Sequence, residues 1–231
     1  MPSSPCSPVC PVLSRAAWAR VLPFLTYIGF IVLADLLQRA GWDAAQLRWL
    51  YPLKIGLVLG LLVLFWRDYD ELRAGLPSAR ALVAALLLGV LVWWLWIRLD
   101  AGWMVVGQSD GYDPRQDGMI AWPLAIVRLA GAALVVPVME ELFWRSFLMR
   151  WLTAEQFQTV APAHVGVRGF VITMLLFGVE HNLWLAGIVA GAVYGLIYMR
   201  SGNLWAAIGA HAVTNGVLGV WIISTNSWSY W

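Results

Sequence analysis

The sequence predicts an all-α polytopic membrane protein of about seven to eight transmembrane helices, and three observations carry that prediction. Of the 231 residues, 61% are hydrophobic and only 12% are charged, with a mean hydropathy of +0.72. Soluble domains run at about 45–50% apolar and about 25% charged. The 16 tryptophans gather at the ends of apolar runs, Trp18, Trp42, Trp66, Trp96, Trp122 and Trp231 among them, where amphipathic rings suit the headgroup layer. Apolar stretches near the length a membrane helix needs, about 17–25 residues, recur along the whole chain.

Taken in order, the chain opens with a Pro/Ser-rich leader containing both cysteines, Cys6 and Cys10. It lacks the basic segment and the cleavage site of a secretory signal, and no second Cys/His cluster accompanies the cysteines. Residues 1–17 are therefore expected to be a flexible tail, and residues 18–231 a single membrane domain. Apolar stretches follow at 21–37, 50–66 and 81–97, then at 123–138 with a helical continuation to 151. The last three cover 169–184, 185–199 and 204–223. Connectors carry the charges and breakers, as in Arg67-Asp68-Tyr69-Asp70-Glu71, the polar stretch 108–118, and Ser201-Gly202-Asn203. The stretch 108–118 reads as an ordinary solvated loop, with a contribution to substrate entry as the alternative.

Alternating the connectors across the membrane puts Arg15, Arg20, Arg67, Arg73, Arg80, Arg150, Arg168 and Arg200 on one side. Arg39, Arg48, Lys54, Arg98 and Arg115 fall on the other, so the positive-inside tendency favours a cytoplasmic N-terminus. Gly187, Gly191 and Gly195 recur every four residues, a strip that lets a neighbouring helix approach closely. The formal charge of +2 is spread without the basic block that phosphate binding needs, which excludes nucleic acid as a partner. The lipid bilayer is the partner that composition names.

Ionisable groups inside such helices are costly and need partners or water. Asp35 and Lys54 lie near helix ends, where side chains reach the interface. The second half differs, because VVPVMEELFWRSF sets Glu140, Glu141 and Arg145 in an apolar run. Glu141 and Arg145 are four apart with the acid first, the favourable order for a same-face ion pair. Glu140 is turned about 100° from Glu141 and is left to face something else. Pro137 loosens the helix just before it. Phe177 and His181 share a helix face, with Glu180 beside the histidine, and His211 and Asn215 stand one turn apart on another apolar helix. The third histidine, His164, lies in a connector and reads as solvated. These pairs converge on one polar site within a helix bundle.

At these residues the sequence resembles the CAAX prenyl protease and bacteriocin-processing family of intramembrane proteases. The family's Glu-Glu-x-x-x-Arg, Phe-x-x-x-His and His-x-x-x-Asn motifs stand here as Glu140-Glu141-LFW-Arg145, Phe177-GVE-His181 and His211-AVT-Asn215, in order. The match makes residues 123–223 the expected catalytic core and leaves the first three spans without a motif. The resemblance implies an intramembrane endopeptidase in which Glu140 activates a water that His181 helps position. His211 and Asn215 would donate to the oxyanion, Glu141 with Arg145 would support them, and Phe177 would shape the pocket wall.

The family has been described both as metal-dependent and as glutamate-based. Glu140, His181 and His211 are the residues that would bind Zn2+ and leave a position for water. A His/Asn pair reads more naturally as an oxyanion hole, so no metal is the expectation and Zn2+ the alternative. The implied substrate is a protein or peptide, prenylated or carrying a C-terminal sorting tail, cut near its C-terminus. Residue usage rich in Ala, Arg, Gly, Leu and Trp suggests a bacterial inner membrane. Two competing functions share the polar site: a proton- or ion-coupled transporter, which calls for inverted repeats that the sequence does not display, and a non-catalytic binding or immunity protein.

Overall fold

The computed structural model describes residues 13–107 and 111–231. Cys6 and Cys10, with most of the predicted tail and the start of the 108–118 connector, lie outside the described residues. The protein is an all-α polytopic membrane protein. Among the described residues, six helices are long and apolar enough to cross a membrane: α1 (Arg15–Arg39), α2 (Ala44–Leu64), α3 (Ala79–Trp96), α4 (Trp122–Trp151), α6 (Trp184–Ser201) and α7 (Leu204–Thr225). The seventh apolar stretch forms a shorter helix, α5 (Val167–Val179). Its 13 residues rise about 20 Å at 1.5 Å each, short of the roughly 30 Å hydrocarbon core. His181 therefore emerges at a helix end inside the protein.

Local chemistry sets the helix boundaries. Ser14 and Ser78 cap α1 and α3 through their hydroxyls, and Asp43 with Gln46 forms a reciprocal capping box at the start of α2, satisfying amides that have no helical acceptor. Gly202, at φ 66°, ends α6, and Asn203 caps α7 immediately after it. Outside the helices, Asp117-Gly118 turns a two-residue antiparallel ribbon, Arg115–Gln116 against Met119–Ile120. Both turn residues have positive φ, as a tight hairpin of this kind requires.

The core centres on α7, which packs along α3 and α6, while α6 packs along α5. Close approach explains the glycines. A Cβ at Gly187 would sit 2.9 Å from the Gly178 Cα, one at Gly191 3.1 Å from the Met174 carbonyl oxygen, and one at Gly195 3.0 Å from the Phe170 ring. The strip therefore faces α5. Gly89 is tighter still, since its Cβ would lie 2.3 Å from the Ala210 carbonyl oxygen, fixing α3 against α7 next to His211.

Several polar residues are placed differently from their sequence reading. Arg20 and Arg150, counted there as topology signals, are buried around Glu71. Arg20 Nη2 lies 2.6 Å from Glu71 Oε2 and Arg150 Nη1 3.2 Å from Oε1, with Ser146 bonded to both Arg20 and Glu71. This cluster staples α1, the connector after α2, and α4. Lys54 does not reach for the interface: its Nζ sits 3.9 Å from the Tyr27 ring centroid. The tryptophans also divide. Trp42, Trp66 and Trp122 are exposed at helix ends as a belt would be, whereas Trp228 is buried and Trp96 packs edge-on to His181 at 5.2 Å. Of the connector read as a solvated loop, Tyr112 packs between Tyr51 and Trp231, and Gly111 lies against the Trp228 backbone.

Candidate active site

The span α4 is not a regular helix. It widens into π-helical turns at Gly131–Val135 and Leu142–Leu148, either side of an α-helical turn, Val136–Glu141, that carries both glutamates. The first widening follows from Pro137. The Val136 amide donates to the Gly131 carbonyl, five residues back, which takes it away from Ala132. In π register the next donor for Ala132 would be residue 137, and proline has no N–H. The Ala132 carbonyl is thereby released from the helical ladder, and the Asn215 Nδ2 of α7 donates to it at 2.9 Å. Non-helical backbone at membrane depth is tolerated where the protein supplies such a partner.

Glu141 is fully buried and its Oε1 is the hub of the site. It accepts from Arg145 Nη1 at 3.0 Å and from His211 Nδ1 at 3.0 Å. Arg145 reaches on to α6, donating to the Gly191 carbonyl at 3.3 Å, and its guanidinium lies 4.5 Å over the Phe177 ring. With Nδ1 committed to Glu141, His211 presents Nε2 to Glu140, 4.0 Å from its Oε2. Glu140 is buried, and that oxygen has no hydrogen-bond partner among the described residues.

His181 lies two residues past the end of α5. Its Nδ1–H donates to the Phe177 carbonyl at 2.7 Å, one of the orphan acceptors at a helix C-terminus. This explains the four-residue spacing physically: the histidine caps the last turn, and because a carbonyl can only accept, Nε2 is the lone-pair nitrogen of the neutral ring. The Phe177 side chain packs on His181 at 4.8 Å and edge-on to His211 at 6.1 Å. Beneath Arg145 as well, it joins the three motifs as a common wall.

Glu140, His181, His211 and Asn215, from three segments, line a single cavity of about 280 Å³, with Phe177 and Glu180 also in its wall. Glu141 and Arg145 stand behind it. His164 is exposed and does not line this cavity. Sequence reading missed Tyr194, Thr214 and Trp96. Tyr194 stacks on His211 at 4.8 Å, nearly parallel, and its hydroxyl donates to Thr214 Oγ1 at 2.7 Å, which in turn donates to the Gly89 carbonyl at 2.8 Å. Tyr and Thr are unremarkable in membrane helices, and only the glycines flanking Tyr194 hinted at a crowded position.

Both histidines spend Nδ1 on protein acceptors, and among the described residues no group of three or more His, Cys, Asp or Glu side chains is gathered to hold a metal ion. As placed, Glu140, His181 and His211 are not gathered into such a group.

Residues 122–217 match the family model described as Rce1-like, type II CAAX prenyl endopeptidase. The matched segment contains all seven motif residues and begins with α4, so α1 to α3 lie outside it. No curated protein and no solved structure matches the chain. The broken α4, the capped His181 and the Glu141-centred hub all fall inside the matched segment, and over that segment the chain is similar to the CAAX prenyl protease family.

Proposed function

We propose that this protein is an intramembrane endopeptidase that hydrolyses a peptide bond near the C-terminus of a protein or peptide substrate, with Glu140 as general base. The observation that carries the reading is the convergence of Glu140, His181, His211 and Asn215 on one cavity within the segment that matches the endopeptidase family. A carboxylate oxygen buried there without a protein partner suits proton abstraction from water. The His181 Nε2 lone pair accepts from the same water and orients it. Attack of that water on the carbonyl carbon places charge on oxygen, and preorganised donors stabilise such charge most in a dry site.

The Asn215 amide has two N–H groups; one is held by Ala132 and the other is available to the oxyanion. His211 stands as the second donor to the oxyanion, through the Nε2 that faces Glu140. The proton held by Glu140 then passes to the departing amine nitrogen. A bacterial inner membrane is the setting that residue usage supports. The test is mass spectrometry of membrane-proteome termini with the wild type against Glu140→Ala. New termini are expected with the wild type only, with a rate loss on the order of a thousandfold or more for the variant. Termini that persist in a folded, inserted Glu140→Ala protein refute the mechanism.

A further inference from the structure

A second cavity, about 680 Å³, adjoins the first and shares Tyr27, Ile31, Arg128 and Trp231 with it. Its charge is one-sided. Asp35 is engaged by Arg39 and Asp113 by Arg115, whereas Arg48, Lys54 and Arg128 also line this cavity and have no carboxylate within ion-pair distance among the described residues. Lys54 and Arg128 are held instead on aromatic faces. Lys54 Nζ lies over Tyr27 and Tyr51 at 3.9 and 5.1 Å, and the Arg128 guanidinium over Tyr51 and Tyr112 at 4.3 and 5.5 Å. The Nε atoms of Arg48 and Arg128 are buried without partners. Ring faces repay only part of the cost of keeping a cation from water. Arg48 Nη1 is taken by the Arg115 carbonyl at 3.0 Å, which leaves Lys54 and Arg128 as the cations that an anionic ligand would complete.

We propose that this cluster binds the C-terminal carboxylate of the peptide substrate, with Arg128 as the specificity-determining residue and Lys54 beside it. The assignment rests on the endopeptidase reading above. Its geometry is supplied by α4: Arg128 and Glu140 lie twelve residues apart on one span and line one cavity. At 1.5 Å per residue they are separated by on the order of 18 Å along the helix, which an extended chain covers in about five residues. A carboxylate seated at Arg128 therefore sets which peptide bond reaches Glu140, and the departing fragment is about four to six residues long. The planar guanidinium suits this task because it binds a carboxylate through two parallel hydrogen bonds.

The test uses peptides whose release from membranes depends on Glu140, identified by mass spectrometry. They are expected to end at the C-termini of their precursors. Synthetic substrates spanning the cut are then made as the free acid and as the C-terminal amide, and presented to the full chain in phosphatidylcholine nanodiscs. The wild type is expected to prefer the acid by about thirtyfold or more in kcat/KM. Arg128→Gln should collapse that ratio toward one by slowing the acid alone, and Arg128→Lys should restore part of it. Equal cleavage of acid and amide by the wild type overturns the carboxylate site and leaves the endopeptidase reading standing. So does an Arg128→Gln defect that is the same for both peptides and is governed by phosphatidylglycerol in the nanodisc, the behaviour of a lipid headgroup site. Absence of any Glu140-dependent peptide removes both readings together.

Discussion

Replacing Pro137 with alanine places an N–H where α4 now has none, within reach of the Ala132 carbonyl in π register. That carbonyl is the acceptor that holds Asn215 at 2.9 Å, so the new amide competes directly with the asparagine. A neutral intramolecular hydrogen bond contributes a net of about 1 kcal/mol, which favours the competing arrangement roughly fivefold. Asn215 would then be correctly seated in only about one molecule in six, and the rate should fall about sixfold while the protein remains folded. The direct variant, Asn215→Ala, removes the donor outright and should cost about a hundredfold or more. The assay is the initial rate on a Glu140-dependent peptide for the two single variants and the double variant. Because both act through one side chain, the double variant should match Asn215→Ala and not multiply the losses. A Pro137→Ala protein of wild-type rate, or a double variant whose losses multiply, would refute the link between the broken helix and the oxyanion donor.

Three further outcomes follow from the same geometry. Burial works against the Glu71 carboxylate, but the charge and hydrogen bond of Arg20, with the Ser146 hydroxyl, outweigh it and hold its carboxyl below the ordinary value. A depressed folded value means that its stabilisation is complete above the unfolded value of about 4.3 and is lost as pH falls through the folded one. Glu71→Gln should therefore melt below wild type at pH 7, by about 3 kcal/mol for a broken buried pair, with the gap closing only below about pH 4. A gap that closes between pH 8 and 6 contradicts this. Gly89→Ala drives a Cβ toward the Ala210 carbonyl and should destabilise by about 1–3 kcal/mol, read by thermal unfolding in detergent. An unchanged melting temperature would mean that α3 and α7 separate freely. Tyr194→Phe removes the hydroxyl bonded to Thr214 but keeps the ring on His211; a loss of about 1 kcal/mol in stability with largely retained cleavage is expected, and abolished cleavage would assign the hydroxyl a direct role.

The membrane class was legible because it depends on bulk composition, and the spans because membrane helices must be long. The Glu141–Arg145 pair was legible because its spacing is local to one helix. What the sequence concealed is everything that depends on contacts between helices. Lys54 read as a residue reaching for the interface until Tyr27 and Tyr51 were seen to hold it. Arg20 and Arg150 looked like surface charges, since nothing local marks Glu71, 51 and 79 positions away, as their shared partner. Trp96 looked like a belt residue because composition cannot distinguish a ring at the headgroups from one against His181. Pro137 was recognised as loosening the helix, but the acceptor it releases and the residue that takes it needed α7 in place.

The hub at Glu141 also bears on how variants of this site are to be interpreted. Two carboxylates stand side by side in the sequence, and only one has its oxygen committed to protein donors: Glu141 Oε1 accepts from a guanidinium and an imidazole that come from different points along the chain. Removing Glu141 leaves Arg145 buried without its carboxylate and releases His211 from the orientation that aims Nε2 at Glu140. Removing Arg145 leaves the Gly191 carbonyl and Glu141 without their shared donor. Either change disturbs α4, α6 and α7 together, so lost activity in those variants reports the integrity of the bundle as much as its chemistry. Glu140 is different, because among the described residues its Oε2 accepts no hydrogen bond and His211 Nε2 stands 4.0 Å away. Its isosteric replacement by glutamine should leave the melting temperature within about 1 kcal/mol of wild type while abolishing turnover. That separation of stability from rate distinguishes the base from its scaffold.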